Sequence, residues 1–351
     1  MPYISSSAIS TALNQSIQQM QTQLAQKEAE LSTGQVADVG LALGANTGQY
    51  VSLTRQLSEM QTITTTNNVV ATRLSATNSA MTDMLSTAQN ILNTLASDQN
   101  DTTSGQVIQQ QAASALQSLT SDLNTSVAGE YVFGGTNSGV QPMANYVQSP
   151  TSPAQQGVAN AFLAAFGTSQ SGSGAANISA GAMQDFLNSQ FASQFTGAAW
   201  TSDWSSASSQ PISSRITTSE TINTSVTANE PAMQNLAMAY TMLSDLGLGN
   251  LSQETAQSVI STATQTLSTA IDQLTNLQAG VGTMQSQVTN ANNQMSLQIN
   301  VLTTQSNNLV SVNSYQATTQ LNDLQTEIET AYSLTNQLHG LSLVNYLSSS
   351  A

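Results

Sequence analysis

The sequence predicts a mainly α-helical protein: an elongated antiparallel bundle or coiled coil of long helices built from both chain ends, with a small inserted α+β domain and a β-hairpin. Three observations predict it. Narrow apolar stripes with alternating steps of three and four residues run through both ends of the chain. A stretch from Gln285 to Leu338 contains neither Pro nor Gly. The aromatic residues, most prolines and a Gly/Ser-rich run gather in the middle.

The first helix is predicted from about Ser5 to Leu31, with Leu13, Ile17, Met20, Leu24 and Leu31 on one seam. Lys27 interrupts that seam, and its long stem can snorkel. Ser32-Thr33-Gly34 ends the helix, and a Gly-punctuated connection follows through Gly40, Gly44 and Gly48. From Val51 the seam resumes through Leu53, Leu57, Met60, Asn67, Val70, Leu74, Thr77, Met81, Met84, Ala88, Ile91 and Leu95. At 1.5 Å per residue this helix is roughly 65 Å long. Asp98-Gln99-Asn100-Asp101 is predicted to break it, and a further helix carries Ile108, Ala112, Ala115, Leu119 and Leu123 on one face.

Gly129–Gly135 is a short β-prone run closed by glycines. Two short helical pieces are predicted around Val158–Phe166 and Ala182–Phe195. Five of the six Phe and both Trp (Trp200, Trp204) lie in this block, which suggests a small core of its own. Ile212–Ile216 and Ile222–Val226 alternate and read as a hairpin. Beyond Pro231, Met233, Leu236, Ala237, Tyr240 and Leu243 define a helix stopped by Gly247 and Gly249. Ser252 and Glu254 start the next, which carries Val259, Ala263, Leu267, Ile271, Leu274 and Leu277, with a break expected at Gly280 and Gly282. The last run, Gln285 to Leu338, would span roughly 80 Å as one helix.

The plan is nearly mirror-symmetric, so three parts are expected. Residues 1–44 and 305–351 form a terminal coiled-coil polymerisation domain. Residues 45–141 and 212–304 form a helical rod with the hairpin, and 142–211 form an inserted projecting domain. Seams this narrow need partners along their length. One antiparallel pair leaves apolar side chains half covered, so other subunits are expected to cover them. Leu13, Ile17, Met20, Leu24 and Leu31, with Leu309, Leu321, Leu324, Ile328 and Leu338, are the candidate assembly interface.

Composition excludes several function classes. Charged residues make up 7% of the chain, against about 25% in an ordinary soluble domain. The four Lys and Arg stand against 19 Asp and Glu, a net charge of -15. That balance argues against nucleic acid and against anionic membranes. Cysteine is absent, so no disulfide or thiolate metal site can form. No apolar run is long enough to span a bilayer, and the amino end shows no basic or apolar signal region, so export without a cleaved Sec signal is expected. His339 is the only histidine and is read as a C-terminal helix cap, not a base. Gly167, Gly172, Gly174 and Gly181 read as linker and make no phosphate cradle. No enzyme activity, cofactor or metal is expected.

Glu30-Leu31-Ser32-Thr33-Gly34, followed by Asp38-Val39-Gly40-Leu41, resembles the flagellin superfamily, in which an amino-terminal helix ends in a similar turn before a long helix. Asn67 and Arg73, within Thr66–Leu74, are similar to positions of that family's second helix, and Leu341–Leu347 resembles its short terminal apolar motif. The resemblance covers residues 1–128 and 229–351. Filament flagellins usually carry paired aspartates and Ala-Ala-Gly after the first turn, from which Asp38–Gly44 departs. Gly129–Asn137, closing with Pro142, is similar to the segment that marks the hook-associated protein type 3 branch, which joins hook to filament. The resemblance implies an extracellular flagellar subunit that assembles with copies of itself, a neighbouring hook-associated protein and flagellin. It also implies type III export and an escort chaperone before secretion. The alternatives are filament flagellin itself, a secreted type III effector, and a phage-tail or adhesin fibre.

Overall fold

In a computed structural model the backbone is described for residues 6–97 and 104–348. The helices in chain order are α1 (Ser6–Thr33), α2 (Val39–Leu43), α3 (Thr47–Ser97), α4 (Ser104–Leu123), α5 (Pro153–Phe166), α6 (Ala180–Phe186), α7 (Gly197–Ala199), α8 (Pro231–Asp245), α9 (Gln253–Val310) and α10 (Ser314–Ser348). Strands β1 (Ser126–Val127) and β2 (Glu130–Tyr131) form one antiparallel hairpin, and β3 (Ser213–Arg215) and β4 (Thr221–Asn223) a second. The predicted break at Asp98–Asp101 lies outside the described residues. The chain divides into two compact units: residues up to Gln61 with those from Ser296 onward, and Thr62–Met295.

In the Thr62–Met295 unit, α3 and α9 run antiparallel. Asn67 on α3 bonds Asn292 on α9, and Gln278 donates to Thr82 fifteen residues further along α3. Ten buried positions of α3 (Ile63, Asn67, Val70, Leu74, Thr77, Met81, Met84, Ala88, Ile91 and Leu95) keep the alternation of three and four without a slip, and Ala80 is buried beside them. α4 and α8 pack against one another and share that core.

Three helix boundaries differ from the sequence prediction. α9 runs straight through Gly280 and Gly282. Each costs about 1 kcal/mol against Ala, and burial of Val281 and Val288 on the same stripe offsets it. Conversely, the Pro- and Gly-free run breaks at Ser311–Asn313. There the Asn313 carboxamide oxygen accepts from the N–H groups of Tyr315 and Gln316 and caps α10. α10 then continues past His339 and Gly340 to Ser348, so His339 is an exposed residue within a helix and not its cap.

The middle segment is held at its base by chain pairing. Ser206 N–H donates to Pro142 O, Ala144 N–H to Trp204 O, and Met143 bridges Ser205. Its start and finish therefore lie side by side. The two hairpins flank this segment. Gly135 (φ +59°) sits where a Cβ would meet Ser208 O at 2.5 Å and Gln210 O at 2.6 Å, so only glycine fits.

The aromatic residues do not form a core of their own. Ring contacts run from Phe162 through Phe186, Phe191 and Phe195 to Trp204, which stacks on Tyr146 at 5.0 Å. Trp200 Nε1 donates to Asn229 Oδ1 just before α8, and Tyr146 Oη donates to Asp245 Oδ2 at its far end. These residues belong to the same buried cluster as Met233, Leu236 and Leu243. α8 has apolar side chains almost all round, so its two sides serve two layers.

Candidate assembly surface

The unit built from the two chain ends is a helix pair closed by a clasp. α1 has no Pro or Gly and stops at Gly34, whose left-handed φ of +69° carries no side-chain penalty. Val36 N–H then donates to Val310 O (2.9 Å) and Val312 N–H to Gly34 O (3.0 Å). This antiparallel bridge between Gln35 and Ser311 joins the end of α1 to the α9–α10 break. From the clasp, α1 and α10 run antiparallel, and Gln21 Nε2 donates to Tyr332 Oη at 2.8 Å.

Few of the predicted interface residues are covered within the chain. Ile17 and Ile328 are buried; Leu13, Met20, Leu24, Leu31, Leu309, Leu321, Leu324 and Leu338 are half-buried. Leu309 lies in the last turn of α9, before the break, and the others lie on α1 and α10. The best covered positions on the carboxyl side include smaller residues, Val310, Ala317 and Ala331. Small side chains permit close helix approach, and that signal was available in their spacing. The terminal motif Leu341–Leu347 lies within α10, with its side chains outside those described.

Sequence reasoning missed the polar element of this seam. Lys27 Nζ donates to Glu30 Oε2 at 2.7 Å, and Ala37 N–H donates to Glu30 Oε1 at 3.2 Å. Burial pushes the Glu30 carboxyl up. The Lys27 hydrogen bond, the Ala37 N–H and the Lys27 charge outweigh it and hold the group below its usual range. The i, i+3 spacing of Lys27 and Glu30 was the available signal. Outside the seam, Leu41 (84% exposed), Tyr315 (85%) and Leu297 (68%) present large apolar side chains to solvent. A two-helix layer cannot cover such residues.

Among the described residues no cluster of His, Cys, Asp and Glu could hold a metal, and no helix is long and apolar enough to cross a membrane. What this unit offers is an apolar seam with one side open.

The bacterial flagellin N-terminal helical region matches residues 4–138, and the flagellin C-terminal helical region matches residues 264–347. Together they account for more than half of the chain and contain α1 and most of α10. The chain belongs to the flagellin superfamily. Residues 139–263, with the aromatic cluster, lie outside both matched regions of this flagellin-like chain. A solved structure from Vibrio parahaemolyticus, described as a flagellar hook-associated protein, has a similar fold with a TM-score of 0.51 at 10% identity. The match covers 76% of this chain and 97% of the other. No curated protein matches the chain. Flagellin-family chains are structural, and this one is a structural subunit of the flagellum that associates with other copies and flagellar components.

Proposed function

We propose that this flagellin-superfamily chain joins the hook to the filament, assembling through the α1–α10 pair after type III export. The observation that carries the assembly reading is the seam itself: two helices aligned in strict alternation, with eight of the ten predicted residues only half-buried. Each half-buried Leu or Met leaves apolar area that a neighbouring subunit can cover, at about 25 cal/mol per Å². Before export the same seam is the segment an escort chaperone would cover. In this reading residues 1–44 and 305–351 polymerise, 45–141 with 212–304 form the rod, and 142–211 are an insertion.

The junction assignment over filament flagellin draws on Gly129–Asn137 and on the departure of Asp38–Gly44 from the usual filament pattern. The fold shared with the Vibrio hook-associated protein is compatible with it. Immunogold labelling of intact flagella tests the assignment. A single narrow band at the base of the filament is the expected result; labelling along the whole filament identifies a filament subunit instead.

A further inference from the structure

Within the Thr62–Met295 unit, ten buried seam positions of α3 repeat with heptad spacing, and eight of them are apolar. Such a stripe does not define its own alignment. Sliding α9 along α3 by one heptad keeps apolar residues opposite apolar residues, and soft side chains such as Met81 and Met84 adapt to either arrangement. A residue that distinguishes the registers must be polar, buried and better paired in one of them than in the others.

Two buried polar residues interrupt the stripe. Thr77 bonds the Arg73 carbonyl of its own helix and is satisfied whatever lies opposite. Asn67 is different. Fully buried, it donates through Nδ2 to Asn292 Oδ1 on α9 (2.9 Å) and to the Ile216 carbonyl beside β3 (2.8 Å). Asn292 in turn donates to Asn68 Oδ1 at 3.2 Å. The residues one heptad away from Asn292 are Gln285 and Ile299, so the shift that brings up Ile299 takes the amide away from Asn67, and the opposite shift replaces Asn292 by the longer amide of Gln285. Asn67 Oδ1 is buried with no hydrogen-bond partner among the described residues. That cost marks a residue held for specificity more than for stability.

We infer that Asn67 is the positioning residue that sets the register of α3 against α9 and fastens the β3–β4 hairpin to it. The two segments it aligns are separated by 225 residues, so their alignment is a long-range choice the chain makes while folding. This inference does not depend on the junction reading.

The absence of cysteine permits a direct test. Thr82→Cys/Gln278→Cys reports the observed register, because those side chains touch. Thr82→Cys paired with Gln285→Cys or Ile271→Cys reports a shift of one heptad either way. Each pair is refolded from urea under oxidising conditions, with Asn67 or with Asn67→Leu. With Asn67, only the first pair should link. With Asn67→Leu, the shifted disulfide through Gln285→Cys, the register that puts Ile299 opposite residue 67, should rise about tenfold, the discrimination lost with one buried amide pairing, while the urea midpoint does not fall. A merely structural residue would lower the midpoint and leave the register unchanged. Shifted pairs that stay unlinked in Asn67→Leu, shifted pairs that already link with Asn67, or a variant that fails to fold would each overturn the inference.

Discussion

Asp122→Asn should stabilise the protein at neutral pH and leave it unchanged in acid. Asp122 lies in the last turn of α4, and its carboxyl is pushed up to about 6 by burial and by the charge of Asp83 on α3. A carboxyl raised in the folded state binds its proton more tightly there than in the unfolded chain. Its ionisation therefore lowers stability progressively as pH rises from about 4 to about 6. A shift of two units corresponds to about 3 kcal/mol. Asp122 remains partly solvated, and screening reduces that to about 1–2 kcal/mol. Asparagine keeps the shape and removes the charge, so the gain should appear above pH 6 and vanish near pH 4. Urea unfolding of both proteins at pH 4, 6 and 8 reads the difference directly, and groups common to both cancel. Asp83→Asn should reproduce a smaller part of the gain. An equal gain at pH 4 and pH 8, or none at pH 8, would refute the reasoning.

Three further outcomes are expected. Ala128 holds a left-handed φ of +53° in the β1–β2 turn, so Ala128→Gly should raise stability by about 1 kcal/mol in thermal unfolding. Glu30→Gln should loosen the end of α1 and the turn after it by about 1 kcal/mol at neutral pH, read as faster proteolysis there. Because the folded Glu30 carboxyl is depressed, the wild-type advantage is complete above about 4.5 and disappears as pH falls through the folded value; a constant difference down to strong acid would count against it. Leu324→Asp, which places a charge in the half-covered seam, should leave unfolding of the Thr62–Met295 unit unchanged and abolish incorporation into flagella; normal motility of that variant would remove the seam from the assembly surface.

The helical stripes were legible because a period of three and four is a local property, and packing only had to select the partner. That the two chain ends would pair, α1 against α10, followed from the symmetry between them. What was not legible depended on competition between small local terms and distant contacts. Gly280 and Gly282 suggested a break, yet the buried stripe carries α9 through them. Asn313, one of many Asn residues in the run, ends a helix because its side chain caps the next. Lys27 looked like a tolerated intrusion, but its acidic partner one turn later makes it a defined ion pair. The aromatic block looked autonomous by composition, yet its residues share their core with α8, which contributes apolar surface on more than one side.

The clasp between Gly34 and Ser311 has a mechanical consequence. Because α1 and α10 are antiparallel, the start of one and the end of the other lie at the same end of the pair. Tension that draws them apart does not shear the seam, which would strain every contact at once. It peels the helices open from the outer end, loading one turn at a time at low force. The two backbone hydrogen bonds at Val36 and Val312 close the far end of the opening. They share the load, so the clasp is where peeling should stall. A chain threaded by one terminus would thus lose this pair turn by turn and form it again from the clasp outward.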